Sequence, residues 1–225
     1  CEMDTIMNLA KRYNVSVIED AAHATLAYYK NKVLGSIGNM GTYSFHETKN
    51  IISGEGGALL INNKKLIERA EIIREKGTNR NQFFLGKVDK YNWQDIGSSY
   101  SMNEITAAFL WSQLNASKKI TNKRLKIWEN YHKLFESLEK EKLIRRPIIP
   151  NNCKHNAHLY YVILSTKVSR KIILKKLRKI NIEAVFHYYP LHLSPAGKKY
   201  GKISKDLKNT FHISKRLIRL PFWIG

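Results

Sequence analysis

Three short apolar runs, each closing on polar or glycine-rich sequence, constrain the fold of this chain more than any other feature. Val15-Ser16-Val17-Ile18 ends in Glu19-Asp20, Gly41-Thr42-Tyr43-Ser44-Phe45 leads into a polar stretch, and Gly57-Ala58-Leu59-Leu60-Ile61 runs into Asn62-Asn63. Runs of this length are strand-sized, and their alternation with helical sequence is the pattern of an α/β sheet with mostly parallel strands. Helical sequence from Thr5 to Tyr13 precedes the first run. A second helix follows the third run, with Leu66, Ala70 and Ile73 on its apolar face and Gly77 as its stop after Arg74 and Lys76.

Thr78 to Tyr100 mixes Gly, Asn, Gln and aromatics without a period, the profile of a long irregular segment with a function of its own. Ser101 with Glu104 has capping-box spacing and predicts a helix start. The helical signal then runs through Leu125, Trp128, Tyr131, Phe135 and Leu138, with a break near Ser117. A domain boundary is expected along it, dividing the chain into 1–116, part of a larger domain, and 117–225, a linker helix and a smaller α/β domain. After Pro147 and Pro150 the smaller unit is expected to comprise a strand from Leu159 to Leu164, a helix from Ser169 to Ile180, a strand from Ile182 to Tyr188 and a last helix near Leu207 to Arg219. The chain opens inside an apparent helix and stops at Trp223-Ile224-Gly225, and so few strands would leave sheet edges unpaired. The expectation is therefore a partial domain that lacks an N-terminal portion and a short C-terminal piece.

Composition narrows the partners. Hydrophobic residues at 43% and charged residues at 25% describe a packed fold. The two cysteines, Cys1 and Cys153, are too few for a disulfide framework, and no signal peptide opens the chain, so a cytoplasmic location is expected. No apolar run is long enough for a membrane span. The net charge of +21 raises nucleic-acid binding, but the lysines and arginines are spread over what read as polar helix faces, and no nucleic-acid partner is expected. Cys153, His155 and His158 lack a fourth ligand at zinc-site spacing, so no metal is expected.

The candidate chemistry lies between Val17 and Gly57. Ligands of open α/β sheets bind beyond the carboxyl ends of the strands, where Asp20, Ser44 and Lys49 would project. A lysine amine acts as a nucleophile only where its surroundings favour the neutral form. Gly54, Gly56 and Gly57 permit either close backbone approach to a ligand or a tight turn. Asp20 reads equally as a helix N-cap after the strand, and Ser44 as an ordinary strand serine.

Glu19-Asp20-Ala21-Ala22-His23, the run Ser44-Phe45-His46-Glu47-Thr48-Lys49-Asn50 and Ser53-Gly54-Glu55-Gly56-Gly57 resemble, in order and spacing, the signatures of the DegT/DnrJ/EryC1/StrS sugar aminotransferases. The resemblance continues through Asp95 to Tyr100 and His187 to His192. It implies fold type I of the pyridoxal-phosphate enzymes. Lys49 would form the Schiff base with pyridoxal 5'-phosphate and shuttle the proton, and Asp20 would pair with the pyridinium nitrogen. His23, commonly Gln in the family, would sit near the cofactor ring, and Ser44 would hold its phosphate. Ser99, or Ser101, would reach the cofactor of a neighbouring subunit in a homodimer. His187, Tyr189 and His192 would bind the sugar nucleotide; as residues alone they read equally as an aromatic cluster of the small domain. The run Ser44 to Asn50 and the stretch Arg74 to Arg80 most resemble the branch that aminates a dTDP-4-keto-6-deoxy sugar with glutamate. Its product is dTDP-4-amino-4,6-dideoxygalactose, for enterobacterial common antigen. The family's dehydratases carry His in place of the lysine, so Lys49 favours transamination. The rival from another class is a truncated, non-catalytic relative, or one completed by a missing N-terminal fragment.

Overall fold

A computed structural model describes residues 1–203 and 205–224. The chain divides into two compact units, one of residues 1–121 and 151–156, the other of 122–150 and 157–225. Among the described residues no helix is long and apolar enough to cross a membrane.

The first unit opens with helix α1 (Met3–Arg12), whose first turn holds Asp4 and whose last turn holds Lys11 and Arg12, charges that suit the two ends of the helix dipole. Strand β1 (Ile18–Asp20) starts later than the apolar run, because Val17 N–H donates to the Asn39 side chain instead of to a strand. Strands β2 (Tyr28–Tyr29) and β3 (Lys32–Val33) form a hairpin. Its two turn residues, Lys30 and Asn31, both have positive φ, as a two-residue hairpin turn demands. Strand β4 (Met40–Ser44) pairs in parallel with β1, setting Asp20 opposite Thr42.

Strand β5 (Gly57–Ile61) pairs antiparallel with β4, with Ser44 opposite Gly57. The third apolar run thus departs from the parallel pattern expected of it. Residues 45–56 are a compact loop with no crossover helix, and such a link returns the chain in the opposite direction. Helix α2 (Ile67–Arg74) ends at Glu75, after which Lys76 and Gly77 take positive φ. Helices α3 (Arg80–Phe84) and α4 (Glu104–Asn115) follow. The cap of α4 is Asn103, whose side chain accepts from Thr106 N–H at 2.9 Å. Ser101 instead donates to Glu75 Oε1 at 2.9 Å. Asn103 is as strong a capping residue as serine and stands directly before the helix, so the expected Ser101 cap is displaced.

Helix α5 (Ser117–Leu134) carries the division between units, and α6 (Glu136–Lys140) and strand β6 (Ile144–Arg145) belong to the second. The chain then revisits the first unit, where β7 (Cys153–Lys154) pairs with β2. Strand β8 (Tyr161–Leu164), helices α7 (Arg170–Lys179), α8 (Pro195–Tyr200) and α9 (Lys208–Ser214), and strand β9 (Leu217–Arg219) complete the second unit. Its sheet has the order β6-β8-β9 and is antiparallel throughout.

Two expectations fail here for one reason. The segment 207–219 is not a single helix, because its last residues form β9 and bury Ile218 to 1% exposure. With β9 already beside β8, residues 182–188 pair with the sheet by a single backbone bridge, Val185 to Arg219, and form no strand. The core of this unit gathers Trp128, Tyr160, Val162, Leu164 and Ile218. Trp128 meets Tyr160 edge-on at 5.4 Å, and the buried Arg124 guanidinium donates to the carbonyls of Ala157 and His158 at 3.0 and 2.6 Å. Desolvation pushes its pKa down to about 10, so it stays charged at neutral pH.

In the first unit the decisive buried group is Glu19. It is 8% exposed, and its carboxylate accepts from the N–H groups of Gly35, Ile37 and Gly38 at 2.8, 2.6 and 2.7 Å. Asn62 Nδ2 meets the carbonyls of Gly35 and Gly38 at 3.1 and 2.9 Å, so the 35–38 loop is bonded on both sides. Glu19→Ala leaves three donors, two of them buried, without an acceptor and is expected to lower stability by roughly 3 kcal/mol, read from denaturant unfolding of the two proteins.

Candidate active site

The pleat that turns Glu19 inward leaves Asp20 exposed at the carboxyl end of β1. One of its oxygens accepts from Ala22 N–H at 3.2 Å, an Asx-type turn that starts the loop 21–27 rather than a helix. His23 lies in that loop. Partial desolvation holds its imidazole below the ordinary value of 6.5, the Lys49 ammonium adds to the effect, and Asp20 opposes it. His23 is therefore neutral at pH 7, with one ring nitrogen to donate and one to accept.

Lys49 is half-buried in the turn after β4, its own N–H donating to His46 O at 2.9 Å. Ser44 ends β4, and its hydroxyl accepts from His46 N–H at 3.4 Å. The lysine loop rests on a small core of Phe45, Ile51 and Leu110 from α4. Its two limbs are laced by Phe45 N–H to Gly56 O and Glu47 N–H to Gly54 O, both at 2.8 Å. A Cβ at Gly56 would stand 2.6 Å from Met102 Cε and 2.7 Å from Ser53 Oγ, at a φ of 152°. Gly56 and Gly57 thus serve close approach, but to neighbouring parts of the chain itself, while a Cβ at Gly54 would meet nothing.

A pair of buried amides secures this loop. Asn50, next to the lysine, donates through Nδ2 to Asn156 O at 2.8 Å. Asn156, 4% exposed, donates through its own Nδ2 to the carbonyls of His23 and Thr25, each at 2.8 Å. One residue thereby ties the lysine loop to the histidine loop. Sequence reasoning placed no role on Asn156 or on Glu19, since neither has a local signal; only the fold brings their partners to them.

The structure therefore gathers Asp20, His23 and Lys49, with Ser44 at the root of the lysine loop. Ser99 is exposed on another segment, bridged through its backbone to Glu75, while Lys76 N–H bonds Ser98 O at 3.0 Å and Ser98 N–H bonds Ile73 O at 2.9 Å. In the second unit His187 is half-buried, stacks on Tyr188 at 4.0 Å and lies 3.4 Å from Arg219 Nη1 through Nδ1. Tyr189 is exposed, its hydroxyl 3.5 Å from Leu193 O, and His192 sits half-buried in the 3-10 turn Leu191–Leu193.

The sequence profile of the DegT/DnrJ/EryC1/StrS aminotransferase family matches residues 1–225. The chain belongs to this family. A protein of Methanocaldococcus jannaschii is 35% identical over 99% of the chain and 59% of its own length. A UDP-4-amino-4,6-dideoxy-N-acetyl-beta-L-altrosamine transaminase of Campylobacter jejuni is 31% identical over 98% of the chain and 57% of its own length. The solved Helicobacter pylori PseC, an aminotransferase of pseudoaminic acid biosynthesis, superimposes with a TM-score of 0.86 at 27% identity, covering 99% of this chain and 58% of PseC. The DegT/DnrJ/EryC1/StrS chain described here thus spans less than two thirds of the length of these relatives. The fold is that of the pyridoxal-phosphate sugar aminotransferases, and pyridoxal phosphate is their cofactor.

The amide pair and the histidine give two expectations. Asn156→Ala should cost roughly 2 kcal/mol and speed amide exchange in the loops around His23 and Lys49, measured by hydrogen–deuterium exchange. His23 should titrate below 6.5 by NMR. As pH falls below 6.5 the unfolded imidazole binds protons first, so this group's contribution to stability declines until the folded imidazole also protonates, and His23→Gln should remove that part of the pH dependence.

Proposed function

We propose that this chain carries the cofactor-linking lysine of a nucleotide-sugar aminotransferase and that the lysine is Lys49. The observation that carries the reading is that the Asn50–Asn156 bonds hold the loop of Lys49 to the loop of His23, which follows Asp20 at the carboxyl end of β1, beside its parallel partner β4. The donor set suits pyridoxal phosphate: a primary amine for the aldehyde, a carboxylate for the ring nitrogen, a neutral imidazole for the ring edge and the Ser44 hydroxyl for the phosphate. When bound, the cofactor supplies an electron sink for loss of a proton from the amine-bearing carbon.

The chain's own groups do the rest. Asp20, one oxygen engaged by Ala22 N–H, offers the other as the anion that holds a proton on the ring nitrogen. Lys49 Nζ moves the proton at the amine-bearing carbon, first off the donor and later onto the sugar. His23, neutral, orients the ring without placing a second cation beside the lysine. The Asn50–Asn156 bonds hold the lysine loop against the His23 loop, so the amine has a fixed origin for its transfers. In a cytoplasmic homodimer the exposed Ser99 segment would serve the neighbouring subunit's cofactor, and His187, Tyr189 and His192 would contact the sugar nucleotide.

The acceptor in this reading is a nucleotide-linked 4-keto-6-deoxy sugar, with glutamate as amino donor. The names of the Campylobacter transaminase and of a UDP-4-amino-4-deoxy-L-arabinose aminotransferase of Shewanella sediminis both place the amine at carbon 4. The likeness of Ser44 to Asn50 and Arg74 to Arg80 to the dTDP-4-amino-4,6-dideoxygalactose branch supports the thymidine nucleotide.

Borohydride reduction of the chain mixed with pyridoxal phosphate should attach the cofactor to Lys49, located by peptide mapping, and Lys49→Ala should abolish the adduct. Labelling scattered over surface lysines would refute the assignment. With glutamate, turnover of the dTDP sugar should exceed that of its UDP and GDP counterparts by at least about ten-fold, the scale of one or two lost polar contacts.

A further inference from the structure

The second unit contains a cavity of about 470 Å³ that the proposed transamination leaves without a role. Such a volume falls in the range of small-molecule sites. It lies over the β6-β8-β9 sheet beside α9, and its charge is one-sided. Lys142 and Arg145 reach it from the β6 side, and Arg216, just before β9, reaches it from the other, so cations flank the central strand on both sides. The acid of the lining, Glu139, is already neutralised: its two oxygens accept from Arg146 N–H and Nε at 2.6 Å each.

Among the described residues neither Lys142 nor Arg145 has an ion pair. Arg216 uses Nε and Nη1 on the carbonyls of His212 and Leu164, leaving the fork of its guanidinium partly open. Ser165, at the end of β8, also lines the cavity. The floor is apolar, with Ile144, Ile163 and Ile213.

We propose that this cavity binds a phosphorylated small molecule, its phosphate between Lys142, Arg145 and Arg216 and its body on the isoleucine floor. A carboxylate carries one charge and would leave most of this cationic set uncompensated, whereas a phosphate monoester or diphosphate carries two or more and matches guanidinium forks. A nucleic acid fits less well: its backbone calls for cations along a track, and these converge on one hollow.

The test is isothermal titration of the full chain with inorganic pyrophosphate at constant ionic strength. Saturable binding of one pyrophosphate per chain is expected, with a Kd on the order of 0.1 mM. Lys142→Ala and Arg145→Ala, both at exposed positions that leave the fold intact, should each weaken binding about ten-fold. Lys175→Ala, an exposed α7 position outside the cavity lining, removes the same charge and should change binding by less than about two-fold. Failure to saturate by about 10 mM pyrophosphate would overturn the proposal. So would equal losses from Lys175→Ala and Arg145→Ala, or a single-stranded oligonucleotide that binds through Arg145 where pyrophosphate does not.

Discussion

The local order of the first unit depends on the opposite facing of two adjacent carboxylates. Glu19 points inward and takes three peptide N–H groups, which fixes β1 against the 35–38 loop and through it against β4. Once Glu19 is committed, the two-residue period of a strand leaves Asp20 no choice but the opposite face. A slip of one residue in β1 would bury Asp20 among donors and expose Glu19, and the carboxylate would no longer stand beside His23 and Lys49. Register is thus guarded by buried hydrogen bonds in a strand too short for apolar side chains to guard it alone.

Much of this was legible in the sequence, and the failures share a cause. The apolar runs announced β4 and β5, and α7 appeared behind Ser169 with one residue's difference at each end. Periodicity carries no information on direction, however, so the antiparallel return of β5 was set by the short loop and escaped the alternation argument. The segment 217–219 reads as the tail of a helix until β8 offers it an edge, and Ile218 then gains more from the core than from a further helical turn. At the site, Asp20 and Lys49 were visible as types in a pattern. Asn156 was not, because its bonds span 131 to 133 residues and nothing local distinguishes it from other asparagines of the chain.

Charge follows a similar division. The excess of 21 positive charges is a bulk property that says little of where cations act. In the first unit one lysine matters through its placement, half-buried at the end of a strand. In the second, Arg124 is buried with carbonyls and the Phe222 ring as its partners, and Arg146 is matched to Glu139, while other cations stand unmatched around a hollow. Position sorts these residues into structural and chemically available groups, and composition cannot.

The bonds of Asn156 also set an order of events. They join residues 23, 25 and 50 to a partner 106 to 133 positions further along. The entropy of closing so long a loop must be met before those bonds form, and contacts of this separation come late in folding. During synthesis the strands around Lys49 leave the ribosome well before their clasp does. The lysine loop therefore passes through a period in which its sequence is complete but its geometry is not, and it acquires a defined position for the amine only when the chain comes back across the first unit with β7.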